Sequence, residues 1–157
     1  MTGSTDGPDA RFDEIGALLS PVPPADATVR PLIRTGDLVM LSGQVAFVGD
    51  QLLAVGRVGD DVDIETAQRC ARQCTLNLLG RLREELGTLE RITKVVKVTV
   101  FVASAPGFRE QHVVANGASD VIREVLGESG RHARAALGVA ELPLGSPVEV
   151  EAIVEVA

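Results

Sequence analysis

A chain of 157 residues, 45% hydrophobic and 24% charged, is the size of one globular domain with enough apolar content for its own core. Aromatics make up 3%, with no Trp or Tyr, so the core must be aliphatic and no aromatic platform for stacking nucleobases is expected. A formal net charge of −7 repels phosphate backbones, which argues against a nucleic-acid partner.

No apolar run approaches the ~18 residues of a membrane span. The opening Met1-Thr2-Gly3-Ser4-Thr5-Asp6-Gly7 lacks the basic and apolar regions of a signal peptide. The expectation is a cytoplasmic protein without a membrane partner.

Residues 1–9 are polar and are expected to be disordered. A short helix is predicted from Ala10 to Leu19, with Phe12, Ile15, Leu18 and Leu19 on one face. Pro21, Pro23 and Pro24 end it and begin a linker. The division is therefore a tail, short helix and Pro-rich linker over 1–26 and a single domain over 27–157. The first strands are Thr28–Arg34 and Leu38–Ser42, joined by a turn at Thr35-Gly36-Asp37. Gly43-Gln44 breaks the second strand, and a short strand follows at Leu52–Val55. Asp63 is a good N-cap for a long helix from Ile64 to about Leu86, stopped by Gly87. Ala67, Ala71, Cys74, Leu78 and Leu82 give that helix an apolar stripe, while Arg69, Arg72, Arg81, Arg83, Glu84 and Glu85 fill its other faces.

Thr93–Ala103 reads as a strong strand, with Val96, Val98, Val100 and Val102 on one face and Lys97, Thr99 and Phe101 on the other. A second long helix runs from about Phe108 to Leu126, with an irregularity expected at Asn116-Gly117-Ala118 because Asn and Gly are poor in helix interiors. The last strands are His132–Val139 and Val148–Val156. In the final one Val148, Val150, Ala152, Val154 and Val156 alternate with Glu149, Glu151 and Glu155. Two helices covering one face of a single mixed sheet make an α+β two-layer sandwich.

Few residues carry obvious chemistry. Arg134 is either a surface arginine at a strand start or a carboxylate clamp, for which its planar fork is suited. Glu149 is either a solvated glutamate or a group that positions a water. Glu151 and Glu155 share its face, so alternation does not choose among the three. Asn116 marks either a kink or an amide facing a pocket. Ser42-Gly43 is either a plain turn or a place where backbone approaches a ligand, and Gly36 reads as a turn glycine. Cys70 and Cys74, four apart on one helix, read as reduced thiols. His112 and His132 lack companions at metal spacing, so no metal site is expected.

The segments Arg34-Thr35-Gly36-Asp37-Leu38, Leu41-Ser42-Gly43-Gln44, Val96 to Val102, Arg134, Val139-Ala140-Glu141-Leu142-Pro143 and Val148 to Ile153 resemble, in order and spacing, the Rid family (YjgF/YER057c/UK114, long labelled endoribonuclease L-PSP). The likeness covers about Arg34 to Val156. The run Gln111–Asp120 looks like an insertion typical of a longer-chain branch. The resemblance implies a chorismate-mutase-like fold and a homotrimer with clefts between subunits. It implies cofactor-free hydrolysis of reactive 2-imino or enamine acids to 2-keto acids and ammonia. In that frame Arg134 would grip the substrate carboxylate, Glu149 would position the attacking water, and Asn116, Ser42, Gly43 and Gly36 would line the pocket. Two positions depart from the family: Val29 stands where a Tyr is frequent, and Ala136 where a Cys is common. The missing thiol matters less, because imine hydrolysis needs no nucleophilic Cys; the change at Val29 favours an alternative, a trimer that binds a small carboxylate without turning it over.

Overall fold

The computed structural model describes residues 6–157; of the tail expected to be disordered, residues 1–5 lie outside that range. Pro8 and Asp9 are already helical, because α1 runs over Pro8–Ile15 and ends on Gly16 in the left-handed conformation (φ 62°). Leu18 and Leu19, expected in this helix, lie beyond it. The helix does not dangle. Phe12 is buried in the core, Arg11 Nε donates to the Val125 carbonyl at 2.8 Å, and the Asp9 carboxylate accepts from the Leu89 N–H at 3.0 Å and from the Thr88 hydroxyl.

The main elements follow as β1 (Leu32–Thr35), β2 (Leu38–Val45), β3 (Phe47–Val48), β4 (Gln51–Leu52), α2 (Ile64–Leu86), β5 (Ile92–Ala103), α3 (Gln111–Leu126), β6 (Ala133–Val139) and β7 (Val148–Val156). A five-stranded sheet has the order β1-β2-β7-β5-β6. All pairings in it are antiparallel except β5 with β6. That parallel pair requires a crossover, and α3 supplies it. α2 and α3 pack on each other and on the same side of the sheet, giving the mixed-sheet α+β sandwich expected from the pattern.

The core between the layers is aliphatic. Ala67, Ala71, Cys74, Leu78 and Leu82 of α2 meet Val98, Val100 and Val102 of β5 and the five small apolar residues of β7, all of them buried. Asp63 caps α2 by accepting the Thr66 N–H at 2.8 Å, and Gly87 closes it at φ 81°. Both cysteines are buried. Burial pushes the Cys70 thiol up to about 11, and burial, with Cys70 next, holds Cys74 well above the usual thiol value. Both therefore stay protonated.

Several boundaries differ from the sequence pattern. Thr28–Arg30 is not strand; β1 begins at Leu32. Gly43-Gln44 does not end β2, which passes through a bulge between Leu41 and Gln44 and continues to Val45. The expected strand Leu52–Val55 is replaced by a two-residue ribbon, β3 with β4, outside the main sheet. In β5 a bulge between Val95 and Lys97 shifts the pleat, so Val95 is buried while Val96, expected inside, is exposed. α3 starts at Gln111 rather than Phe108, and it is continuous through Asn116-Gly117. Gly117 is there for packing: a Cβ on it would lie 2.2 Å from the Gln68 carbonyl oxygen of α2. The run Gln111–Asp120, expected as an insertion, forms the first ten of the sixteen residues of this helix.

α2 also carries a polar row that the apolar stripe concealed. Gln73, Asn77 and Arg81 recur every fourth residue, and all three are buried. Gln73 Nε2 donates to the carbonyls of Leu18 and Phe47, both at 2.9 Å. Asn77 Oδ1 accepts from Ser20 N at 2.9 Å, and Arg81 Nη2 donates to the Ser20 carbonyl at 2.7 Å. These bonds satisfy backbone groups of the linker and of the chain leaving β2, and so pin both segments to the helix.

Candidate active site

Arg134 is the second residue of β6, the edge strand beside β5. Its register partner is Val98, which is buried beneath the helices. Paired residues share a face of the sheet, so Arg134 points to the helix side. There α3 braces it. Arg134 Nη1 donates to Asn116 Oδ1 at 2.9 Å and to Ser119 Oγ at 3.1 Å, and Nη2 donates to the His112 carbonyl at 3.2 Å. A guanidinium has five N–H groups. Three are used among the described residues, leaving Nε–H and one Nη2–H. Nε and Nη2 flank one edge of the guanidinium plane, which suits a two-point contact with a carboxylate.

Asn116 thus supplies an acceptor that orients the arginine, and its helical position is what lets it do so. Positions 112, 116 and 119 lie on one face of α3 by the three- and four-residue spacing of a helix.

Glu149 belongs to a second cluster. It pairs with Phe101 on one side and with Val45 on the other. Phe101 is three residues from Val98 with no bulge between them, so Glu149 lies on the open face, opposite the helices. Its carboxylate rests over Gly43, where a Cβ would come within 2.2 Å of Oε1. Gly43 is therefore required by the close approach of a side chain to its backbone. Ser42 and Gly43 form the bulge of β2 and take no partner in the β7 ladder. The Ser42 hydroxyl donates to the Arg30 carbonyl at 2.6 Å. Partial burial, and then the neighbouring Glu151 charge, raise the Glu149 carboxyl above its ordinary value.

Gly36 joins neither cluster. It sits at φ 59° in the β1–β2 turn, at the opposite end of β2 from Gly43, about 20 Å away along the strand. Its carbonyl accepts from Arg34 Nε at 2.9 Å. Val29 is 75% exposed in the segment before β1, and Ala136 lies on the Arg134 face, half-buried against the core.

Two residues of the Arg134 cluster escaped the sequence reading, Ser119 and His132. Ser119 Oγ lies 2.8 Å from His132 Nε2, and His132 Nδ1 lies 2.6 Å from the Gly130 carbonyl oxygen. The available signal was the placement of Ser119 three residues after Asn116, on the same helical face, and of His132 two residues before Arg134.

The chain is thus an α+β protein with an aliphatic core, a sheet face that no described helix covers, and an arginine held by three acceptors of α3. The family model described as "YjgF/chorismate_mutase-like, putative endoribonuclease" matches residues 9–156, and the chain belongs to this family. A crystal structure of a protein of unknown function from Agrobacterium tumefaciens superposes with a TM-score of 0.87 at 44% identity, over 96% of this chain and 92% of that one. RidA from the Antarctic bacterium Psychrobacter sp. PAMC 21119 superposes with a TM-score of 0.56 at 25% identity, over 86% of this chain and 94% of that one. Protein TCP17 of Trypanosoma cruzi is 50% identical over 101 residues, 64% of this chain. That match spans 63% of TCP17's own length.

Proposed function

We propose that this protein hydrolyses small reactive 2-imino or enamine acids to 2-keto acids and ammonia, without a cofactor, at sites shared between subunits of a homotrimer. The observation that carries this reading is Arg134, braced by three acceptors with one donor edge left for a carboxylate. The substrate's carboxylate docks on that edge. Glu149, with its raised affinity for protons, takes a proton from water as the water's oxygen bonds to the imine carbon. It returns the proton to nitrogen, and the carbinolamine then collapses to ketone and ammonia. Because an imine is already electrophilic, placing water, carbon and carboxylate together supplies much of the acceleration.

Arg134 and Glu149 face opposite sides of one sheet, so a single small substrate touches both only if a second subunit brings its own Glu149 or Arg134. The open face supports such packing. Ile33 and Met40 pair there, Met40 pairs onward with Ile153, and Leu137 pairs with Phe101. Ile33 is 57% exposed and Leu137 38%, an apolar patch that a second copy of the chain would cover. Val29 favours the second reading, carboxylate binding without turnover, since it brings no phenol to the site.

The test is ammonia and keto-acid release from 2-iminopropionate and 2-iminobutyrate generated in situ, with Arg134→Ala alongside. Release above the uncatalysed rate, abolished by the substitution, is the expected result. Ligand-dependent thermal stabilisation lost with Arg134 but unaccompanied by product would establish the binding reading instead.

A further inference from the structure

We propose that Ser119 and His132 are positioning residues of this site: they set the guanidinium plane of Arg134 and thereby its affinity for the substrate's carboxylate. The inference rests on the reading of Arg134 as a carboxylate clamp. The direction of each hydrogen bond follows from the chemistry of the partners. The Gly130 carbonyl can only accept, so His132 Nδ1, 2.6 Å away, carries the proton. In the neutral imidazole Nε2 is then an acceptor. Arg134 Nη1 can only donate, so Ser119 Oγ, 3.1 Å from it, accepts. The hydroxyl proton of Ser119 goes to His132 Nε2, 2.8 Å away. The result is one directed chain: Arg134 Nη1–H to Ser119 Oγ, Ser119 O–H to His132 Nε2, and His132 Nδ1–H to the Gly130 carbonyl.

A serine hydroxyl by itself is both donor and acceptor and rotates to suit its surroundings. Turned the wrong way, it would aim its proton at a guanidinium that offers only protons. His132 removes that freedom by holding the hydroxyl proton on the far side from Arg134. Hydrogen bonds in such a chain also polarise one another. The histidine therefore acts on the arginine through the serine, without touching the ligand edge. Asn116 and the His112 carbonyl hold other N–H groups of the guanidinium, so loss of the Ser119 branch tilts Arg134 rather than freeing it.

The experiment is calorimetric titration of 2-oxobutyrate, the product-like keto acid, into the wild type, Ser119→Ala, His132→Phe and Arg134→Ala. 2-Oxobutyramide serves as a ligand lacking the carboxylate, and each variant's melting temperature is recorded. Ser119→Ala and His132→Phe are expected to bind the acid about tenfold more weakly than the wild type. Their affinity for the amide should be unchanged, a split that a general loss of structure does not produce. Ser119→Thr and His132→Gln retain the hydroxyl and a side-chain acceptor, and should restore binding to within about threefold.

Equal acid binding by the wild type, Ser119→Ala and His132→Phe, with Arg134→Ala impaired, would overturn the positioning role and leave the clamp standing. An Arg134→Ala variant that binds the acid like the wild type, or a wild type that does not bind it, would overturn the clamp and this inference with it. Should His132→Phe fail to fold, Ser119→Ala decides the matter alone, since it removes one oxygen from a half-buried helical position.

Discussion

In the proposed reaction, the environment of Glu149 would tie catalysis to stability. Burial and the Glu151 charge raise its carboxyl above the ordinary glutamate value of 4.5, so the folded protein keeps the proton to higher pH than the unfolded chain does. Across the window between 4.5 and that raised value the native state binds more protons. Stability therefore falls as pH rises through it. Activity should move the other way, because the deprotonated form is the base. Glu149→Gln is expected to abolish turnover while flattening the fall of melting temperature across this window. Thermal denaturation followed over a pH series reads this directly, and an unchanged slope would show that Glu149 does not titrate as described. Gly43 is the companion case. A methyl there displaces a flexible carboxylate rather than backbone, so Gly43→Ala should fold normally yet lose about 100-fold in kcat, the scale of a 1 Å misplacement. Steady-state kinetics alongside circular dichroism would separate the two effects. Of these residues, Arg134 and Glu149 were legible as types in a strand, but the register that decides their neighbours was not.

At the scale of elements, the period of the pattern was more reliable than its breaks. The 3.6-residue stripe of α2 and the alternation of β7 survive unchanged, because each needs only one face to be buried. Gly43-Gln44 and Asn116-Gly117 read as interruptions, yet the strand and the helix run through both. In each case glycine answers a contact from another element, which local propensity does not register. At Gly117 that contact is with backbone. Ala elsewhere in a helix would gain up to about 1 kcal/mol over Gly, but here the Cβ would sit 2.2 Å from the Gln68 carbonyl. The clash wins, because α2 and α3 must separate. Gly117→Ala should cost about 1–3 kcal/mol, measurable by urea denaturation, and a stabilised variant would contradict the close helix contact. The row Gln73–Asn77–Arg81 makes the complementary point: a spacing of four places the three on one helical face, but their burial depends on which backbone groups lie opposite.

At the scale of the whole molecule, the sheet separates the two halves of the proposed site. Arg134 faces the helices and Glu149 the open side, so the trimer proposal makes a quantitative prediction. Co-refolding Arg134→Ala with Glu149→Gln, each inactive alone, should restore activity. In a randomly mixed, equimolar assembly about a quarter of clefts would receive an intact arginine from one subunit and an intact glutamate from its neighbour. Turnover near that fraction of the wild type would support a site built from two subunits. No recovery, with mixed oligomers demonstrated by mass spectrometry, would rule it out. Among the described residues no helix is long and apolar enough to cross a membrane.

By itself the sequence determined the layer architecture, the long helix with its Asp63 and Gly87 caps and the alternating final strand, each of which depends on periodicities of two or 3.6 residues and on local capping, information held within a few neighbouring positions. The family likeness rested instead on the order and spacing of motif segments along the chain. Only the tertiary structure decided that Arg134 and Glu149 lie on opposite faces, that Gly36 lies far from the site, and that Ser119 and His132 stand behind the arginine. Those facts depend on strand register, on two bulges and on a helix crossing. They are set by contacts between residues distant in the chain, where a shift of a single position exchanges one face of the sheet for the other.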